Sequence, residues 1–485
     1  MKKLFLSTAL PYVNYSPHAG FALEIVQADV IARYHRIFGK EVLFLTGTDE
    51  NSLKNVQAAR EEEIPVKKLV DRNAKKFFEL KGVLNLSFND FIRTTEARHI
   101  KGAQKLWNAC QKDIYKKKYR GLYCVGCEEF YKENELLKGL CPEHQTRPEL
   151  VEEENYFFRL SKYQNKLKKI IKKDEIRIIP KTRKNEIVSF INSRLEDICI
   201  SRSAERGRGW GIPVPGDSTQ VQWTWFDALS NYINALGYAE NSKKFQEWWQ
   251  KNKNKLHIIG KGILRFHAVY WPAMLLSANI SLPKTIFVHG YLTSGGRKMS
   301  KSLGNVIDPF ELVKKYGTDA VRYFLLREIP PTEDGDFTYE KFESRYNDDL
   351  ASGLGNLVAR VITLAAKVKT KDEKIKTTTK NSKFKKEIDK TWRDYHKALK
   401  EFKFNEVLIS IWELISCCDK CIEKERPWEN KNQKSKIKNQ KVIFDLLFTI
   451  SHIAKMLQPF LPETSEKIFE QIKTKKSKPL FPRLK

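Results

Sequence analysis

Three short stretches of the chain carry side chains spaced for chemistry. Pro17-His18-Ala19-Gly20-Phe21 stands between an apolar run and a segment of helical spacing. A helix N-terminus offers unpaired N–H groups and a partial positive charge, which suits a phosphate. Gly20 lets a ligand approach the backbone, and His18 can donate to a phosphate oxygen, although a histidine ahead of a helix is more often structural. The second stretch is Gly295-Gly296-Arg297-Lys298-Met299-Ser300-Lys301-Ser302-Leu303-Gly304. Lys298 and Lys301, on a loop flanked by glycines, form a mobile cationic clamp. Such a clamp stabilises charge growing on a triphosphate as pyrophosphate leaves; the spacing alone also fits an ordinary basic loop. The third is Cys124-x2-Cys127 followed, after 13 residues, by Cys141-x2-His144. Three thiolates and one imidazole close a tetrahedral zinc site with no open position, so the metal expected here is structural. The alternative is free buried thiols, but Tyr123, Glu128, Glu129 and Pro142 offer little core.

Elements must place these groups. The run from Lys3 to Ala9 ends at Pro11 and reads as a buried strand. Phe21, Ile25, Val26, Val30, Ile31 and Tyr34 follow helical spacing until Gly39. A second strand is expected over 41–45, making a βαβ unit with a parallel sheet. Ligands of such sheets sit at the carboxyl ends of the strands, which puts residues 9–20 and 46–51 at one mouth. The α/β pattern returns near Ile212, with strands over 255–260 and 285–289 and a helix over 262–278. After Tyr316 the pattern is almost wholly helical, broken over 367–386 by nine lysines that read as a solvated linker. Cys417, Cys418 and Cys421 lie in one helical segment, where core packing is the better reading. Asn356 and Arg360 share a helix face, and Trp428 follows Pro427 at a later break. A tryptophan face can stack an unpaired base while Asn and Arg bond its edges; Trp428 by itself also suits a core.

At 485 residues the chain has room for roughly three domains. Its 88 Lys and Arg against 59 Asp and Glu leave a net +29. That excess points to a polyanionic partner, nucleic acid first, unless it reflects a lysine-rich proteome. No apolar run approaches the ~18 residues of a membrane span, and the start lacks a signal-peptide layout. The expected compartment is the cytoplasm, where the eight cysteines are reduced thiols or metal ligands.

The first two stretches together resemble the HIGH and KMSKS motifs of class I aminoacyl-tRNA synthetases. The wider text resembles the methionyl-tRNA synthetases. It does so in Ala9-Leu10-Pro11-Tyr12-Val13-Asn14, Gln27-Ala28-Asp29-Val30 and Thr46-Gly47-Thr48-Asp49-Glu50. Trp225-Phe226-Asp227-Ala228-Leu229 and Phe266-His267-Ala268-Val269-Tyr270-Trp271-Pro272 extend the likeness. The resemblance implies adenylation of L-methionine by ATP with Mg2+, then transfer to the terminal adenosine of initiator and elongator tRNA(Met). It implies catalytic roles for His18, Lys298 and Lys301, and ATP contacts from these with Pro11, Asn14, Gly20 and Phe21. Leu10, Tyr12, Asp49, Trp225, Ala228, Tyr232 and His267 match the methionine pocket, with Asp49 holding the ammonium. Asn356, Arg360 and Trp428 match the residues that read the CAU anticodon.

The implied fold is α/β. A Rossmann-type parallel-sheet catalytic domain (1–115 and 211–290) is split by a connective insertion (116–210) whose zinc knuckle spans 116–150. The KMSKS loop and stem-contact region (291–345) and an all-α anticodon-binding bundle (346–485) follow. One structural zinc per chain is implied. The chain ends without the C-terminal OB-fold domain that dimerises some relatives, so a monomer is expected. Two positions depart from the family. Phe21 replaces the second histidine of HIGH, with Ala19 for a bulkier aliphatic residue, and Gly262 replaces a carboxylate after Gly260-Lys261. These leave the rate in question more than the reaction. A ligase for isoleucine, valine or leucine would need a large editing insertion. A catalytically impaired tRNA-binding paralogue is opposed by intact His18, Asp49, Lys298 and Lys301.

Overall fold

The computed structural model describes residues 3–143, 145–299, 304–368, 383–429 and 432–484. His144, Lys301 and most of the lysine-rich stretch over 367–386 lie outside the described residues. The chain divides into two compact units, one of residues 1–17, 35–82 and 86–289, the other of 18–34, 83–85 and 290–485.

The first unit is built on a six-stranded parallel sheet in the order Asp90–Arg93, Glu41–Thr48, Lys3–Thr8, Lys255–Gly260, Thr285–His289, Arg177–Ile179. Burial on both faces explains why its inner strands read as continuous apolar runs. Strand order reverses between Lys3–Thr8 and Lys255–Gly260, and the crevice beyond the carboxyl ends at such a reversal is where ligands bind. Residues 9–17 leave Lys3–Thr8 at this reversal and 49–52 leave the neighbouring Glu41–Thr48, the stretches expected at the mouth having been 9–20 and 46–51. Two strands were not legible, one at each edge of the main sheet: Asp90–Arg93, which pairs with Glu41–Thr48, and Arg177–Ile179, inside the expected insertion, which pairs with Thr285–His289. A separate antiparallel sheet carries the cysteine region. Its long strand Ile114–Cys124 pairs with Glu149–Phe158 and with Glu129–Tyr131.

The helix expected over 262–278 is three pieces. A 3-10 turn at Lys261–Ile263 and a π-helical turn at Phe266–Tyr270 precede the α-helix Trp271–Ser277. Pro272 has no N–H to give the preceding turn, and the widened turn holds His267.

The second unit begins with the helix that starts at Ala19. It continues through the hairpin Leu292–Ser294/Arg297–Lys298 into helices that include Thr318–Arg327, Asn356–Ala366, Lys385–Lys400, Phe404–Glu425, Gln433–Leu457 and Pro462–Thr474. Arg322 is its buried hub. Its guanidinium pairs with Asp29 at 2.8 Å and donates to the carbonyls of Phe460 (2.8 Å), Pro459 (2.9 Å) and Leu84 (3.0 Å). Further along the first helix, Tyr34 Oη lies 2.9 Å from His396 Nδ1. Cys418 and Cys421 are buried in Phe404–Glu425, as a packing role requires. Among the described residues, no helix is long and apolar enough to cross a membrane.

Candidate functional site

In the first unit, the loop after Lys3–Thr8 runs beside the end of Glu41–Thr48. Asp49 N–H donates to the Pro11 carbonyl at 2.9 Å, so Tyr12 and Asp49 lie side by side. The Tyr12 ring is 6.3 Å from Trp225, and Trp225 stacks on Phe266 at 3.9 Å. Trp225 and Ala228 share one short helix, Thr224–Leu229, and both are buried. Leu10 and Tyr12 are half-buried against the same core.

Tyr232 and His267 are bonded, Tyr232 Oη lying 2.7 Å from His267 Nε2. The other ring nitrogen, Nδ1, is 3.0 Å from the Ile263 carbonyl. A carbonyl only accepts, so Nδ1 carries the proton and Nε2 accepts from Tyr232. Burial lowers the His267 pKa to about 4, so the ring is neutral at pH 7. Asp49 is buried and accepts from Asn51 N–H at 3.2 Å. Burial, with the nearby Asp227 charge, pushes its carboxyl well above the usual range. Such a carboxyl is poised to ionise against an incoming cation. The arrangement is a set of aromatic and apolar walls bearing a neutral Tyr–His pair and one buried acid. That chemistry suits an amino acid with a flexible, polarisable side chain.

Sequence reasoning missed Phe266 as a wall, and it missed the support behind Asp49. Asn51 Nδ2 reaches Asp227 at 3.4 Å, and His99 Nε2 lies 3.5 Å from Asp227. Phe266 and Asp227 stand inside stretches already singled out; His99, a lone histidine in a helix, carries no signal.

In the second unit, His18 is exposed at the start of the first helix, and its Nδ1 accepts from Gly20 N–H at 3.0 Å. A Cβ at Gly20 would stand 2.8 Å from the His18 ring. This glycine therefore serves the histidine's own turn as well as any ligand. The Met299 methyl lies 3.5 Å from the same point, and Ala19 N–H donates to the Ile307 carbonyl at 2.9 Å. Met299 and Ile307, on either side of the second lysine, thus both lie at the start of the helix that follows His18. Gly295 and Gly296 have φ of +60° and +72°, the pair of left-handed residues a two-residue hairpin turn needs. Asp336 pins that turn, accepting from Gly296 N–H and Thr293 Oγ1 at 2.7 Å each. Lys298 ends the hairpin's second strand rather than lying in a free loop. Phe21 is half-buried in the helix's first turn, and Pro11 and Asn14 are half-buried in the first unit.

The Sγ atoms of Cys124, Cys127 and Cys141 lie within 4.8 Å of one another, those of Cys127 and Cys141 3.5 Å apart. The Cys124 hydrogen bond and burial push the Cys127 thiol far up, the opposite of what a thiolate needs unless a cation is bound. The convergence of three sulfurs on one point is the geometry that fits a metal ion. Tyr123 and Glu128, expected to offer little core, are both buried: Tyr123 packs in a small apolar cluster with Leu53 and Val151, and its hydroxyl donates to Glu128 at 2.8 Å.

A family model described as "tRNA synthetases class I (M)" matches residues 4–147 and 144–362. The methionine–tRNA ligase of Brucella suis is 42% identical over 478 residues, 97% of this chain and 91% of that protein. The methionine–tRNA ligase of Caldanaerobacter subterraneus is 40% identical, over 97% of this chain and 74% of that one. A solved Mycobacterium tuberculosis methionyl-tRNA synthetase in complex with methionyl-adenylate superposes with a TM-score of 0.90. It is 37% identical, over 97% of this chain and 94% of that chain. The chain belongs to the methionyl-tRNA synthetase family.

A model of the anticodon-binding domain of tRNA ligases matches residues 381–482 of this family member. Asn356 is exposed in the first turn of Asn356–Ala366 and borders an open depression of about 260 Å³ that Phe481 and Arg483 also line. Arg360, one turn on, is half-buried and pairs with Asp419 at 3.4 Å. Trp428 lies beyond the end of Phe404–Glu425 and is 49% exposed. Its ring is open to solvent, which the core-packing alternative does not accommodate.

Proposed function

We propose that this chain activates L-methionine with ATP, giving methionyl-adenylate and pyrophosphate, and then transfers methionine to the 3'-terminal adenosine of initiator and elongator tRNA(Met). The buried Asp49 beside Tyr12, with Trp225 and the neutral Tyr232–His267 pair, carries this reading. Asp49 holds the substrate ammonium; Leu10, Tyr12, Trp225, Ala228, Tyr232 and His267 surround the thioether. His18, Gly20, Phe21, Lys298 and Lys301, with Pro11 and Asn14, hold ATP, which brings Mg2+. Lys298 and Lys301 stabilise charge on the departing pyrophosphate. The catalytic halves are 1–115 and 211–290, the insertion 116–210, the stem-contact region 291–345 and the anticodon bundle 346–485. The cytoplasm is its compartment, and it acts as a monomer. Methionine-dependent ATP–pyrophosphate exchange tests this directly. Exchange driven by isoleucine, valine or leucine would reassign the substrate, and tRNA binding without exchange would mark an impaired paralogue.

Cys124, Cys127, Cys141 and His144 hold one structural zinc. Metal binding of this kind is local folding free energy, so chelation or Cys127→Ser is expected to loosen residues 116–150 ahead of the rest. Hydrogen exchange reads this, and uniform protection in metal-free protein rejects it.

Asn356, Arg360 and Trp428 read the anticodon. Trp428→Ala is expected to weaken aminoacylation by about 1–3 kcal/mol, the value of one stacked base. It should also narrow the gap between a CAU anticodon and one with a changed first base, leaving exchange intact. Replacing linker lysines should instead weaken all tRNAs alike and flatten the salt dependence. A Trp428→Ala protein that behaves like the lysine variants places anticodon reading elsewhere.

A further inference from the structure

Three consecutive residues, the first a proposed metal ligand, are bonded to both sides of the proposed methionine-binding residues. Glu128 has φ of +57°, in the left-handed region, and its carboxylate is fully buried. It accepts from Leu53 N–H, from Tyr123 Oη at 2.8 Å and from Arg202 Nη1 at 2.7 Å. Arg202 Nη2 donates to the Asn51 carbonyl at 2.8 Å, and the Asn51 N–H is the donor on Asp49. That is the ammonium side. On the thioether side, Trp225 Nε1 donates to the Cys127 carbonyl at 3.1 Å, and Trp223 Nε1 donates to the Glu128 carbonyl. Tyr270 Oη donates to Glu129 at 2.8 Å. The peptide that fixes one thiolate therefore also fixes the backbone under Asp49 and the indole of Trp225.

We propose that metal occupancy at the cysteine cluster and methionine binding are thermodynamically linked through Cys127–Glu128, with Glu128 as the positioning residue. This rests on the methionine reading above. A displaced Cys127 shifts an acceptor and a buried carboxylate together, and a buried ion pair tolerates poor geometry badly. Linkage is reciprocal: if metal favours methionine, methionine favours metal by the same factor.

The test is a zinc affinity measured on the full chain against a competing chromogenic chelator, with and without saturating L-methionine, leucine serving as control. Methionine is expected to tighten zinc about 5-fold or more, and leucine to leave it unchanged. Glu128→Gln should bring the methionine effect towards none while zinc still binds. If that variant fails to fold, Trp223→Phe, which removes the indole N–H on the Glu128 carbonyl and trims the ring packed on Phe266 and Tyr270, should reduce the effect instead. Calorimetry on the zinc-loaded protein separates the failures. Methionine binding with unchanged zinc affinity overturns the linkage and leaves the ligase reading standing; no methionine binding overturns both. A full methionine effect in the folded variants overturns the route through Glu128.

Discussion

Lys301→Ala is expected to lower methionine-dependent ATP–pyrophosphate exchange by about 10²–10³-fold, the usual effect of removing one contact to charge that develops only in the transition state. Methionine affinity, read by calorimetry without ATP, should stay as it was. The split follows from where the interactions lie. Asp49, Tyr12, Trp225 and the Tyr232–His267 pair belong to the first unit, and the lysine segment to the second. Lys301 follows a hairpin whose Gly295–Gly296 turn is pinned by Asp336, and the chain beyond it is tied through Ile307 to the helix start at Ala19. Near-normal exchange in Lys301→Ala would sink the clamp.

Arg322→Ala is expected to have the largest effect on stability, about 3–5 kcal/mol, as when one partner of a buried ion pair is removed. Asp29 and Arg322 are both fully buried. The substitution takes the buried guanidinium from the Asp29 carboxylate, which also pairs with Arg33 at 2.7 Å, and removes the donors on the carbonyls of Phe460, Pro459 and Leu84. Urea unfolding followed by hydrogen exchange should show the second unit opening first. A variant as stable as the parent shows the hub to be dispensable.

Much of this was legible in the sequence, and the rest was not for identifiable reasons. The two short-spaced pairs stand out in the sequence, and three of the four proposed ligands, Cys124, Cys127 and Cys141, lie together in a cluster that could hold a metal ion. The inner strands were readable because burial on both faces leaves unbroken apolar runs. Arg177–Ile179 was not, since three residues carry no period. The π-helical turn at Phe266–Tyr270 was hidden because an extra residue in one turn hardly disturbs an apolar pattern that is buried all round. Glu128 reads as a solvated acid beside a cysteine; its partner Arg202 is remote in sequence, and only the fold brings them together. The same holds for Asp29 and Arg322. Trp428 was visible as an aromatic group, but its exposure depends on where the helix before it stops.

The helix carrying His18 is fastened along its length to the helical unit, by Arg322 at Asp29 and by His396 at Tyr34. Protein engineers tend to regard an anticodon reader as a detachable cartridge that can be grafted from one synthetase onto another. Here the graft would cut through the fastening. A chimaera taking residues 383–485 from a relative would have to import a compatible histidine opposite Tyr34, and a 459–460 turn whose carbonyls meet Arg322. Hybrids that ignore those joints would lose adenylation along with tRNA choice, and repairing the joints, rather than the anticodon contacts, would be the first step in recovering them.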